Sequence, residues 1–85
     1  MDTPETNTPK VEIFSTPVCH FCGEAKAFFA ENNVDYTEYD VASDAEQRQV
    51  MIDMTGQMGV PVIKIGNDIV IGYDEPKLKE LLNIS

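Results

Sequence analysis

Val11-Glu12-Ile13-Phe14 is a short β-prone apolar run that stops at Ser15-Thr16-Pro17, the pattern of a strand followed by a break. From Cys22 onward the rhythm changes. Apolar residues fall at Cys22, Ala25, Phe28 and Phe29, a helical stripe with Glu24, Lys26 and Glu31 opposite, closed by Asn32-Asn33. Tyr36 to Val41 mixes β-branched and aromatic residues and predicts a second strand. Ser43, with Glu46 three residues on, predicts a capping box opening a helix whose Val50, Met51 and Met54 face inward. Gly56 stops that helix. Val60-Pro61-Val62-Ile63-Lys64-Ile65 and Ile69-Val70-Ile71 flank Gly66-Asn67-Asp68, a hairpin signal. Asp74 then caps a last helix, with Pro76 in its first turn and Leu78, Leu81 and Leu82 on one face.

The element order is therefore βα, βα, ββ, α. A right-handed βαβ unit makes the first two strands parallel, and the hairpin makes the last two antiparallel. The expected fold class is α/β: a four-stranded mixed sheet flanked by three helices, with helices on both faces.

Eighty-five residues make one domain, and 42% apolar residues supply a modest core. Residues 1–9 are polar and Pro/Thr-rich and are expected to form a disordered arm, leaving residues 10–85 as the domain. That arm has no apolar stretch of the kind a signal peptide needs, and no run approaches the ~20 apolar residues of a membrane span. Cytoplasmic residence is expected. The formal charge of −9, with six basic residues scattered from Lys10 to Lys79, argues against nucleic acid, which needs clustered cations. Its simplest consequence is solubility; steering toward a basic partner surface is the sharper alternative.

The chemistry concentrates at Cys19-His20-Phe21-Cys22, which holds both of the chain's cysteines. Two residues three apart on a helical turn bring their Cα atoms to roughly 5–6 Å, within the range a disulfide accepts. A preceding strand places the first sulfur near a helix N-terminus, where a thiolate is favoured. An ordinary thiol of pKa about 8.5 is only about 3% ionised at pH 7, and about 90% ionisation needs roughly 3.4 kcal/mol. A helix dipole supplies about 0.3–1 kcal/mol of that. Backbone N–H groups of Phe21 and Cys22 donating to the Cys19 sulfur are expected to supply the rest, because Lys26 stands about 10 Å further along the helix. His20 has two readings: a protonated neighbour that stabilises the thiolate, or an exposed side chain pointing into solvent. Phe21 is expected to pack or to form an apolar lip.

Three separated motifs carry a resemblance to the glutaredoxin family: Ser15-Thr16-Pro17-Val18-Cys19-His20-Phe21-Cys22, Thr55-Gly56-Gln57-Met58-Gly59-Val60-Pro61 and Gly72-Tyr73-Asp74. The resemblance spans about Val11 to Leu82 and implies a thioredoxin fold. By that resemblance Cys19 is the exposed nucleophile and Cys22 the resolving thiol. Val60-Pro61 matches the family's cis-proline element beside the disulfide, where the backbone groups of Val60 stay open to an extended substrate. Gly72, Tyr73 and Asp74 fall where glutathione-using members hold the γ-glutamyl end, although an Asp at a helix start is also simply a cap. Thr16 stands where those members usually carry Lys or Arg, His20-Phe21 replaces their usual Pro-Tyr, and Ile71 replaces a second glycine. These departures argue against a tight glutathione site. They lean toward the NrdH-redoxin group, which takes electrons from thioredoxin reductase.

The resemblance thus implies a monomeric dithiol–disulfide oxidoreductase with no tightly bound cofactor beyond its own redox-active disulfide. Its substrate is a protein or small-molecule disulfide, and its reductant thioredoxin reductase or glutathione. Two rival readings stand beside it. A zinc or iron–sulfur module has to pool the cysteines of two chains, since one pair is half a tetrahedral site. A non-catalytic binding module retains the fold without turnover.

Overall fold

The computed structural model describes residues 10–84, so the expected N-terminal arm lies outside the described residues. The strands are β1 (Val11–Ser15), β2 (Thr37–Asp40), β3 (Val62–Ile65) and β4 (Asp68–Ile71); the helices are α1 (His20–Glu31), α2 (Ala45–Thr55) and α3 (Glu75–Leu82). The sheet order is β2-β1-β3-β4, with β1 parallel to β2 and antiparallel to β3, and β3 antiparallel to β4. This is the expected four-stranded mixed sheet with three helices.

Alternation along the strands divides the core into two layers. Val11, Ile13, Ile63, Ile65 and Val70 point to one face and bury Ala25, Phe28 and Phe29 of α1 with Leu78 of α3. Phe14 and Val62 point to the other and meet Val41, just after β2, and Met51 of α2. The helical stripe Cys22, Ala25, Phe28, Phe29 is buried throughout, as its spacing predicts.

Several element ends differ from expectation. The cap of α2 is Asp44, whose Oδ1 accepts the Gln47 N–H at 3.1 Å, and not Ser43. Ser43 instead donates its hydroxyl to the Asp40 carbonyl at 3.4 Å. Along α2 Met51 is buried while Val50, about 100° further round the helix, is exposed rather than inward. The second strand is shorter than Tyr36–Val41 because Tyr36 leaves the ladder to pack on Phe29, ring centroids 5.2 Å apart. Asp74 caps α3 as expected, accepting the Lys77 N–H at 3.2 Å.

One polar tie holds the first helix to the sheet. The buried Ser15 hydroxyl donates to Glu38 Oε2 at 2.9 Å, and Lys26 Nζ reaches the same oxygen at 2.8 Å. Lys26, then Ser15, hold the Glu38 carboxyl below the usual carboxylate range. A lowered folded-state value adds stability above the unfolded value, near about 4.3, and that stability is lost as pH falls through the folded value. Both charged side chains are about a third exposed, so their pairing is worth less than about 1 kcal/mol. Glu38→Gln should therefore lower the urea midpoint slightly at pH 7 and by less at pH 3. An equal loss at both pH values removes charge as the cause.

Candidate active site

All three sequence motifs leave the sheet at one end. In the ladder Phe14 stands opposite Val62, and Val62 opposite Ile71. The chain following β1, the chain preceding β3 and the chain following β4 therefore converge. Two hydrogen bonds fasten the meeting point: Gly72 N–H to the Pro61 carbonyl at 2.8 Å, and Val41 N–H to the Ser15 carbonyl at 2.9 Å. Gly72 has φ of 86°, a conformation open to glycine but strained for other residues, so the sequence places its glycine where this bond needs it. The Val60–Pro61 peptide bond is cis, as the family resemblance implies.

Cys19 and Cys22 form a disulfide with Cα atoms 5.2 Å apart. Thr16 closes the approach by accepting the Cys19 N–H at its carbonyl, at 3.3 Å. Helix α1 begins at His20, earlier than the apolar stripe suggests, which makes Cys19 its N-cap residue. In that role the Cys19 sulfur accepts the Cys22 N–H at 3.1 Å. A sulfur in the cap position replaces the oxygen of a usual cap and faces the positive end of the helix. Of the two expected donors, only Cys22 N–H makes the bond to Cys19; no such bond from Phe21 is formed among the described residues. Cys19 is half-buried, whereas Cys22 is 1% exposed. The pair is therefore unequal: one sulfur is approachable and accepts a backbone N–H at the helix start, the other is covered.

His20 is exposed and its Nε2 lies 3.3 Å from Glu24 Oε2, one turn along. Its ring meets Phe21 edge-on at 5.3 Å. Any positive charge on His20 thus sits beside a carboxylate. Phe21 is 58% exposed, the lip rather than the packing residue. Val60 is half-buried and Pro61 buried. Tyr73 is half-buried against Phe28 and donates its hydroxyl to Glu75 at 3.3 Å. Burial and the Glu75 carboxylate push its phenol above the usual range, so it remains a neutral donor. Asp74 is occupied as the α3 cap.

Two rim residues escaped the sequence reading. Val18 is 93% exposed and Met58 65% exposed, in the segments leading to Cys19 and to Val60. Met51 and Met54 lie on α2 as the sequence predicts, whereas Met58 is in a loop. The available signal was position: both are large apolar residues outside any helical or alternating pattern, within two residues of the redox motifs. Among the described residues, no group of three or more His, Cys, Asp or Glu side chains is arranged to hold a metal ion. No helix there is long and apolar enough to cross a membrane.

The glutaredoxin family model matches residues 11–70, most of the chain and both cysteines. The chain belongs to the glutaredoxin family. It is 33% identical over 72 residues to an uncharacterized glutaredoxin-like 8.6 kDa protein in the rubredoxin operon of Clostridium pasteurianum, covering 85% of this chain and 96% of that one. It is 32% identical over 65 residues to glutaredoxin 3 of Escherichia coli K12, covering 76% and 78%. A crystallised mutant of the thioredoxin-like protein BC3987 superposes with a TM-score of 0.85 at 36% identity, covering 89% and 97%. These likenesses establish the thioredoxin-like fold and a glutaredoxin-type Cys-x-x-Cys disulfide in this glutaredoxin-family chain.

Proposed function

We propose that this glutaredoxin-family chain is a dithiol–disulfide oxidoreductase that reduces protein disulfides in a reducing compartment such as the cytoplasm, working as a monomer. The observation that carries this is the inequality of the sulfurs: Cys19 half-exposed and bonded by the Cys22 N–H at 3.1 Å, Cys22 covered one turn deeper. In the reduced chain, the Cys19 thiolate attacks one sulfur of the substrate disulfide. A Cys19–substrate disulfide forms, and the other substrate sulfur leaves as a thiolate that takes up a proton. Cys22, losing its proton, then attacks the Cys19 sulfur. The Cys19–Cys22 bond forms, and the second substrate sulfur leaves. Two electrons have passed to the substrate, and a dithiol reductant restores them by the same exchange in reverse. Val60 and Pro61 flank the substrate, with Thr16, His20, Phe21, Gly72, Tyr73 and Asp74 around the rim.

Charge supports a protein reductant of the thioredoxin-reductase type over glutathione. Glutathione carries two carboxylates, yet Thr16 is uncharged, Lys26 and Lys79 each bond a glutamate, and His20 faces Glu24. Insulin reduction coupled to NADPH oxidation tests this directly. With thioredoxin reductase the rate is expected to exceed that with glutathione and glutathione reductase by about ten-fold or more, the equivalent of one lost charge-assisted contact. A faster glutathione-fed reaction reverses the reductant assignment. No turnover with either, in protein carrying bound metal, turns the reading to a metal module.

A further inference from the structure

The turn that delivers the chain to Val60-Pro61 is built by side chains. Gly56 ends α2 with φ of 74° and its N–H on the Ile52 carbonyl at 2.7 Å. Thr55 Oγ1 lies 2.8 Å from the Met51 carbonyl oxygen and 3.0 Å from that of Gln57, and accepts the Gln57 N–H at 3.3 Å. Gln57 then folds over Gly59. Its Oε1 accepts the Gly59 N–H at 2.7 Å, and its Nε2 donates to the Gly59 carbonyl at 3.3 Å. One primary amide thereby takes both peptide groups of Gly59, the exchange a facing antiparallel strand makes with a hydrogen-bonded residue. Space for it depends on the glycine: a Cβ at position 59 would lie 2.6 Å from Gln57 Oε1.

The following residues complete the pattern. Pro61 has no N–H, and its carbonyl accepts from Gly72 at 2.8 Å. Val60 stands between, and among the described residues neither its N–H nor its carbonyl has a partner within the chain. Across Gly59-Val60-Pro61, only Val60 offers open peptide groups.

We propose that Gln57 sets the register in which an extended substrate segment pairs with the Gly59-Val60-Pro61 segment. By standing in for a strand at Gly59, it leaves Val60 as the single pairing residue. Register decides the chemistry because a slip of one residue turns every side chain of an extended segment to the opposite face, the reacting cysteine included. This inference rests on the oxidoreductase reading and names its substrate class: a disulfide within an extended peptide, with peptide groups on both sides of the reacting cysteine. A disulfide without a peptide backbone does not sense the device. Gln57 acts through Gly59 and Val60 and is a positioning residue.

Gln57→Ala, Gly59→Ala and the double variant test it, each assayed with a disulfide-linked extended peptide and with bis(2-hydroxyethyl) disulfide. Gln57→Ala is expected to raise KM for the peptide about three- to ten-fold, the effect of one or two exposed hydrogen bonds. Its kcat, and its rate with the hydroxyethyl disulfide, should change less than about two-fold on that argument. Gly59→Ala should match it, since the added methyl evicts Gln57, and the double variant should be no worse than either single one. Gln57→Glu keeps the acceptor and loses the donor, so it should fall between. An unchanged peptide KM in Gln57→Ala, equal losses with both disulfides, or additive effects at 57 and 59 each overturn the proposal. If the unaltered chain reduces neither disulfide, the oxidoreductase reading itself fails, which is a separate result.

Discussion

Cys22→Ser should accumulate as a covalent mixed disulfide with an oxidised protein substrate, while Cys19→Ser forms none and loses turnover by on the order of a thousand-fold or more. The expectation follows from the two environments and not from spacing, which treats both cysteines alike. Cys19 occupies the cap of α1, and its sulfur accepts the Cys22 N–H. Cys22 is 1% exposed, a buried residue of α1. With Cys22 replaced, the first exchange proceeds and the second has no nucleophile, so the intermediate is stranded. With Cys19 replaced, the remaining thiol is shielded from any large disulfide. Non-reducing electrophoresis, with mass spectrometry of the adduct, reads both outcomes. Trapping by Cys19→Ser, with none by Cys22→Ser, reverses the two roles.

Phe29→Ala should lower the melting temperature by roughly 15–30 °C, the largest stability effect expected from a single side chain here. Phe29 is fully buried, with its ring 5.9 Å from Phe28 and 5.2 Å from Tyr36. It joins α1 to Val11 and Ile13 of β1 and to Ile63 and Ile65 of β3. Removing a buried phenyl ring costs about 3–5 kcal/mol, and a domain holds only about 5–15 kcal/mol in total. Because α1 carries both cysteines, loosening it also loosens the redox site. Thermal unfolding followed by circular dichroism measures the shift. A loss below about 5 °C means that the two-layer core does not depend on this contact.

Much of the architecture was legible because a period needs no knowledge of neighbours. The stripe Cys22, Ala25, Phe28, Phe29 gave a helix and its buried face, and all four residues are buried. Gly66-Asn67 gave the β3–β4 hairpin, and Asp74 with Pro76 gave the start of α3. Where two local signals compete, neighbouring residues along the chain do not decide between them. Ser43 and Asp44 both suit a cap, and the backbone chose Asp44; Val50, beside the buried Met51, proved exposed. At the site, the cysteine pair and Val60-Pro61 were readable as motifs. The Ser15–Glu38–Lys26 tie and the Gln57–Gly59 pairing were not.

The sequence alone determined the order of elements, their inward faces and the positions of the two sulfurs, because each follows from steric and hydrophobic periods along the chain. The tertiary structure alone decided which sulfur is covered, which cations are already engaged, and that residues from β1, β3 and β4 meet at one end of the sheet. Such properties depend on contacts between residues distant along the chain, as with Ser15 and Glu38, which stand 23 positions apart. Burial, charge pairing and hydrogen-bond partners are fixed only once strands and helices have packed, and those are the quantities that turn two cysteines into an unequal pair.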